Sequence, residues 1–239
     1  MLDLRRADSR FHTTLDWLDS WHSFSFAEHH DPTNVNHGLL IVNNDDTVAP
    51  GRGFAMHPHR DMEIVTWVLQ GSLEHRDSEG NHAVIRPGLA QRMSAGRGIR
   101  HSEWNPSEEH AVHFLQMWVI PDTRGIRPGY EEADVTAALS AGGLVKIASG
   151  AGDAAIHIHQ ADATMYAARL APGESIELPV ARHLHVFVAR GAAVLEGGDT
   201  LAEGDALRLD DEASRRLDNE ASRRLGATAD AEIVIWATG

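Results

Sequence analysis

Two short stretches carry the residue types that bind a transition metal: His57-Pro58-His59 and, further along, His101-Ser102-Glu103. Successive side chains of a β-strand point to opposite faces, so 57 and 59 look the same way, as do 101 and 103. Together they offer three imidazoles and a carboxylate to one ion. That donor set suits a borderline divalent metal, with Fe(II) the first expectation and Mn, Ni, Co, Cu or Zn acceptable. A structural zinc site would draw on cysteine, and the chain has none. Four protein ligands on an ion that accepts five or six leave an open position, which distinguishes a catalytic metal from a structural one.

Such ligands need a rigid frame, and the chain is written as strands. Runs with β-branched or aromatic residues recur between Gly, Pro, Asn and Asp turns. They cover Gly38 to Asn43, Glu63 to Gln70, His82 to Arg86, Val112 to Ile120 and Leu144 to Ser149. Further runs are Ala155 to His159, Thr164 to Leu170, His185 to Ala189, Ala192 to Leu195 and Ile233 to Ala237. This spacing predicts an all-β sandwich or barrel. Leu15 to Ser20 is expected as a helical turn and Tyr130 to Ser140 as a short connecting helix. With 239 residues and 42% hydrophobic content, two domains are expected. The Pro- and Gly-rich segment Pro121 to Tyr130 serves as the junction. The division falls at residues 1–130, carrying the metal, and 131–239. Twelve of the 16 histidines precede residue 114, so the chemistry belongs to the first half.

The formal net charge of -14, from 21 basic and 35 acidic residues, comes with no cluster of cations. Nucleic acid and anionic membranes are therefore excluded as partners. Lys146 is the only lysine, a matter of residue usage from which no function is read. The start lacks the apolar run of a signal peptide and no eighteen apolar residues follow one another, so a cytoplasmic location is expected. Near the end Glu212-Ala213-Ser214-Arg215-Arg216-Leu217 returns unchanged as Glu220 to Leu225, read as a small loop duplication whose removal leaves strand, turn, strand.

The run Met56-His57-Pro58-His59-Arg60-Asp61-Met62-Glu63, then Gly71, Pro87-Gly88 and His101-Ser102-Glu103-Trp104-Asn105, resembles the two motifs of the cupin superfamily. The stretches Trp17 to Phe26, His57 to Glu63 and Met93 to Glu103 are similar, more narrowly, to the pirin family and especially its bacterial quercetin dioxygenase-like members. The strong part of the resemblance spans roughly residues 1 to 130 and continues weakly through Ile156-His157-Ile158-His159-Gln160. It implies a bicupin, two β-barrel or jelly-roll domains, with one metal in the first barrel held by His57, His59, His101 and Glu103, and a degenerate second barrel.

Two carboxylates compete for the fourth position, because Glu63 shares strand parity with His57 and His59 while Glu103 shares it with His101. General cupins favour the residue at Glu63, pirins the one at Glu103, and the pirin assignment is followed here. Glu63 is then expected to point inward near Val65, Trp67 and Leu69 and to hydrogen-bond a ligand histidine. Otherwise it accepts a bond from Arg60 or a backbone amide. His157 and His159 lack the further ligands a second metal site needs. Gly96-Arg97-Gly98 lacks the rest of a phosphate loop and is taken as a turn. Trp17, Trp21, Phe24 and Phe26 are candidates to roof an apolar pocket, or plain core.

The resemblance implies a metal-dependent dioxygenase cleaving flavonols such as quercetin, with Glu103 taking the hydroxyl proton of the substrate before dioxygen reacts. The competing expectation is a non-enzymatic metal-binding regulator that meets transcription factors or metabolic enzymes through a protein surface. A sugar-phosphate isomerase would want Lys and Arg beside the metal and ranks last, since only Arg60, Arg97 and Arg100 are at hand. The expected partners are a small aromatic substrate and O2, and the chain is taken as a monomer.

Overall fold

The computed structural model describes residues 2–210 and 224–239. In chain order its elements are β1 (Leu2–Arg5), a 3-10 turn (Ala7–Ser9), β2 (Phe11–Thr14), β3 (Leu18–His22), β4 (Leu40–Val48) and β5 (Gly53–His59). Then come β6 (Glu63–Gln70), β7 (Leu73–Asp77), β8 (His82–Ile85), β9 (Leu89–Ser94), β10 (Ile99–Trp104), β11 (Val112–Val119) and β12 (Gly129–Asp134). The helix α1 (Thr136–Ser140) leads to β13 (Val145–Ser149), β14 (Ile156–His157), β15 (Ala163–Leu170), β16 (Ser175–Glu177) and β17 (His183–Arg190). The last strands are β18 (Ala192–Leu195), β19 (Thr200–Ala202), β20 (Ala206–Asp210), β21 (Arg224–Ala227) and β22 (Ala231–Thr238).

These strands make two sandwiches, each with a seven-stranded and a four-stranded sheet. The first pairs the order β12-β9-β6-β11-β4-β3-β2 with β5-β10-β7-β8; the second pairs β1-β20-β17-β22-β15-β13-β14 with β16-β21-β18-β19. The all-β bicupin expected from the sequence is what the chain forms. Most of the duplicated segment, residues 211–223, lies outside the described residues. Leu225, at its end, is buried in β21.

The two seven-stranded sheets sit back to back on a common apolar layer. Val65, Trp67 and Leu69 of β6 and Leu115, Met117 and Val119 of β11 share one cluster with Met165, Phe187, Val234 and Trp236 from the second sandwich. The alternate residues of the same strands go to the interior of their own sandwich, as Val68 and Phe114 do in the first and Val186 and Ile235 in the second. β6 is thus covered on both faces, and its sequence Glu-Ile-Val-Thr-Trp-Val-Leu-Gln accordingly shows no apolar and polar alternation. Polar ties cross the layer as well: the Trp67 indole Nε1 donates to Glu232 Oε1 at 2.7 Å, and Arg92 Nε donates to the His157 carbonyl at 2.8 Å.

Two local expectations give way. Tyr130 to Asp134 is not helical: it forms most of β12, antiparallel to β9, and helix begins only at Thr136. The free edge of β9 offers backbone partners to this segment, and tertiary pairing outweighs its Glu- and Ala-rich helix preference. Leu15 to Ser20 is no helical turn either, because Leu18 to His22 pairs with β4 as β3. Pairing also runs across the expected division at 130/131. β12 belongs to the first seven-stranded sheet, and β1, at the start of the chain, is the edge of the second.

Trp67→Ala is expected to cost about 3–5 kcal/mol in urea unfolding, from lost burial and from one donor fewer on Glu232. A loss below about 1 kcal/mol would contradict a shared inter-sheet core.

Candidate metal centre

His57 and His59 stand on β5 and His101 on β10, antiparallel neighbours whose register sets His101 opposite His57 and Ile99 opposite His59. β5 is an edge strand, which is where Pro58 is tolerated between the two histidines. One ligand atom from each of the three histidines lies within 4.8 Å of the others. The register slips by one residue between His101 and Glu103, so Glu103 faces Phe54. Gly53 makes the close approach there feasible, because a Cβ on it would sit 2.2 Å from the Glu103 carbonyl oxygen.

His59 and His101 are prepared as neutral donors. Burial, with His101 and His57 adding to it, lowers the His59 pKa to about 3. Burial likewise takes His101 down to about 3, helped by His57 and His75 and opposed by Asp77. Each ring therefore keeps a lone pair for an ion at neutral pH. His57 Nδ1 donates to the Ala55 carbonyl at 2.8 Å, which fixes the tautomer with Nε2 bare. His101 is buried with neither ring nitrogen hydrogen-bonded. An orphaned imidazole at the meeting point of two others is what a divalent metal would satisfy, so the residues fit that group.

Glu103 is buried on the same cavity wall as His57 and His59 but outside the tight group of three. Gln116 Nε2 donates to both its oxygens, at 2.7 and 2.8 Å, and the amide is oriented by Thr66 Oγ1, which donates to Gln116 Oε1 at 3.0 Å. Burial raises the Glu103 pKa, with the Gln116 bonds acting against the rise. Asp46 is a second buried carboxyl on this wall, pushed up to about 8 by burial although Ser20 Oγ donates to it. Sequence reasoning missed Gln116, Thr66 and Asp46. Their signal is parity: Gln116 interrupts the series Phe114, Trp118 on the inward face of β11, and Asp46 does the same on β4 between Asn44 and Val48.

The cavity above the histidines measures about 580 Å³, within the range of about 300–1,000 Å³ usual for small-molecule sites. One side is aromatic, from Trp17, Phe26, Phe54 and Trp118; the other is polar, from Ser20, His22, Asn44, Asp46, Glu103 and Gln116. The Trp118 ring stands edge-on to His59 at 4.9 Å between centroids. Of the four aromatics expected as a roof, Trp17 and Phe26 line this space. Phe24 joins the layer between the sandwiches, and Trp21 stacks on His12 at 3.8 Å.

Glu63 does not hydrogen-bond a ligand histidine. It belongs to β6 in the large sheet, not to β5, so the strand parity used to align it with His57 does not apply. Its side chain accepts from Ser94 Oγ at 2.8 Å and from the backbone amide of His159 at 3.0 Å, tying the two sandwiches together. His157 and His159 lie at this seam, away from the triad.

Elemental analysis should find metal content lowered roughly tenfold or more in His101→Ala, while Glu63→Ala keeps its metal and loses stability. Metal loss confined to Glu63→Ala would reverse the assignment. In metal-free protein, Asp46 binds its proton in the folded state up to about pH 8, whereas the unfolded chain releases it near the ordinary 3.8. Its contribution to stability is therefore complete below that lower value and is lost progressively as pH rises towards 8. Asp46→Asn is expected to raise Tm at pH 8 and flatten Tm against pH over that window. An unchanged slope in a thermal melt series would contradict it.

Residues 4–119 match the family model described as Pirin, and residues 146–226 match that of the Quercetinase C-terminal cupin domain. A Mycobacterium tuberculosis protein named "Putative quercetin 2,3-dioxygenase" is 53% identical over 239 residues, covering 98% of this chain and 94% of that protein. The quercetin 2,3-dioxygenase of Escherichia coli K12 is 40% identical over 214 residues, covering 89% and 91%. The crystal structure of a bacterial pirin, YhhW of E. coli, in complex with nickel(II) superposes with a TM-score of 0.86 at 35% identity, covering 100% of this chain and 99% of that one. With both sandwiches matched and relatives aligned over nearly the whole length, this chain belongs to the pirin family.

Proposed function

We propose that the chain is a metal-dependent dioxygenase that cleaves flavonols such as quercetin, working in the cytoplasm as a monomer with one Fe(II) held by His57, His59, His101 and Glu103. The carrying observation is the convergence of three imidazoles, two of which line an aromatic-walled cavity together with the buried Glu103 carboxyl. The names of the relatives support the substrate class. The nickel(II) complex of the bacterial pirin supports a divalent metal in this fold.

The aromatic wall of Trp17, Phe26, Phe54 and Trp118 stacks on the flat rings of a flavonol and keeps water from the reacting edge. Held by His57, His59, His101 and Glu103, a divalent metal would supply an electrophilic centre able to lower the pKa of a substrate hydroxyl and to engage O2. Glu103 takes the hydroxyl proton onto its carboxylate. Gln116 holds that carboxylate through one amide nitrogen, and burial, which raises its proton affinity, lets Glu103 keep the proton while the ring opens. Both atoms of O2 end in the products, an opened ester and carbon monoxide, so no further reductant is needed. Asp46, carrying its proton, can donate a hydrogen bond to a substrate oxygen on the polar wall.

Aerobic turnover of quercetin by metal-loaded protein, followed as loss of flavonol absorbance and release of carbon monoxide, tests the reading. Glu103→Gln should lower kcat by about 10²–10⁴-fold. Absence of turnover with iron, manganese, nickel, cobalt and copper alike would overturn the enzymatic reading in favour of a metal-binding regulator of transcription factors or metabolic enzymes.

A further inference from the structure

Away from the histidines, where β1 and β20 meet the segment that follows β3, a small enclosed cavity of about 20 Å³ lies among three arginines. Arg5, Arg10 and Arg208 line it, with the hydroxyls of Ser9 and Ser23 and the amide of Asn34. Two of the three cations are matched locally. Arg5 Nε meets Asp3 Oδ2 at 2.7 Å, and Arg10 Nη1 meets Asp45 Oδ2 at 3.0 Å, where His113 also bonds the carboxylate.

Arg208 is different. It is 5% exposed, and its bonds go to neutral acceptors, Asn34 Oδ1 and the Ser23 carbonyl, each at 2.8 Å. Its guanidinium carbon stands 4.4 Å from the centroid of the Phe24 ring, and its Nε has no partner at all. Among the described residues no carboxylate pairs with it. Nearby, His185 is buried with both ring nitrogens unpartnered. Asp3, opposite Arg208 in the β1–β20 pairing, lends it some counter-charge but makes its ion pair with Arg5, so the buried guanidinium has no carboxylate of its own, and a water molecule would satisfy hydrogen bonding without neutralising it. The space is small and enclosed, which favours a compact guest.

We infer that this cavity is a binding site for one small monatomic anion, chloride in size and charge, held between the two sandwiches by Arg208 with Arg5 and Arg10. Backbone design favours the same guest. Gly204, at φ +82°, borders the cavity, and a Cβ there would come within 2.5 Å of Arg10 Nη2, displacing that guanidinium. The anion would brace three parts of the chain: the arm that begins with β1, strand β20, and the segment through Ser23 and Asn34. That last segment also brings Phe26 and Ala27 to the wall of the cavity above the histidines.

The test is a thermal melt of the full chain titrated with chloride against gluconate at constant ionic strength, with diffraction from crystals grown in bromide. The site predicts a saturable rise in Tm of about 3 °C once chloride exceeds its Kd tenfold. It also predicts that Arg208→Gln abolishes the rise and that a bromide anomalous peak stands within hydrogen-bonding distance of the Arg208 guanidinium. Equal Tm values in the two salts, or a chloride effect surviving in Arg208→Gln, would overturn it. Should Arg208→Gln fail to fold, the bromide map of the unsubstituted protein decides: a peak beside Arg208 supports the site, and ordered water or no density there refutes it.

Discussion

The apolar layer between the two seven-stranded sheets is the constraint on which the candidate metal centre depends. Because Trp67, Met117 and their neighbours are buried against the second sandwich, every second residue of β6 and β11 is released from packing duty on that side. Thr66 and Gln116 occupy the released face and turn to Glu103. Without its partner, the first seven-stranded sheet would expose a broad hydrophobic back, and the polar front would lose its rigid support. The second sandwich thus serves the first without contributing a residue to the triad.

Burial acts in opposite senses on the two kinds of group at the site. It strips protons from His59 and His101, which leaves them lone pairs to offer, and it leaves protons on Asp46 and raises the proton affinity of Glu103. One low-dielectric environment therefore produces neutral nitrogen donors and carboxyl groups able to retain hydrogen. Gln116 spans the difference by placing its donor on both oxygens of Glu103, so the carboxylate has a fixed place even before a metal arrives.

Much of this was legible in the residues themselves. The triad follows from two spaced motifs, and the all-β class follows from turn residues punctuating apolar runs. Glu63 was misplaced because strand parity was carried across the turn at Arg60 to Met62, beyond which the chain enters another sheet; Asp61 there holds φ +51°. β4 was cut short at Asn43 because Asn44-Asp45-Asp46 reads as a turn. In the fold those polar side chains have partners on both faces of the sheet: Asn44 on His22, Asp45 on Arg10 and His113, Asp46 on Ser20. Composition cannot distinguish a polar strand whose partners are distant in sequence from a solvated loop. The pairing of β12 was hidden for a related reason, since only the edge of β9 makes a strand of it.

The attachment of β1 to β20 has a consequence for how the chain comes into being. Leu2 to Arg5 are synthesised well before their pairing partners, Ala206 to Asp210. Until those partners emerge, β1 has unpaired backbone groups, while the sandwich that carries the three histidines can close behind it. Closure of the second sandwich then waits on joining two strands far apart in sequence, so a substitution that disrupts β1 would burden that sandwich before it touched the histidines.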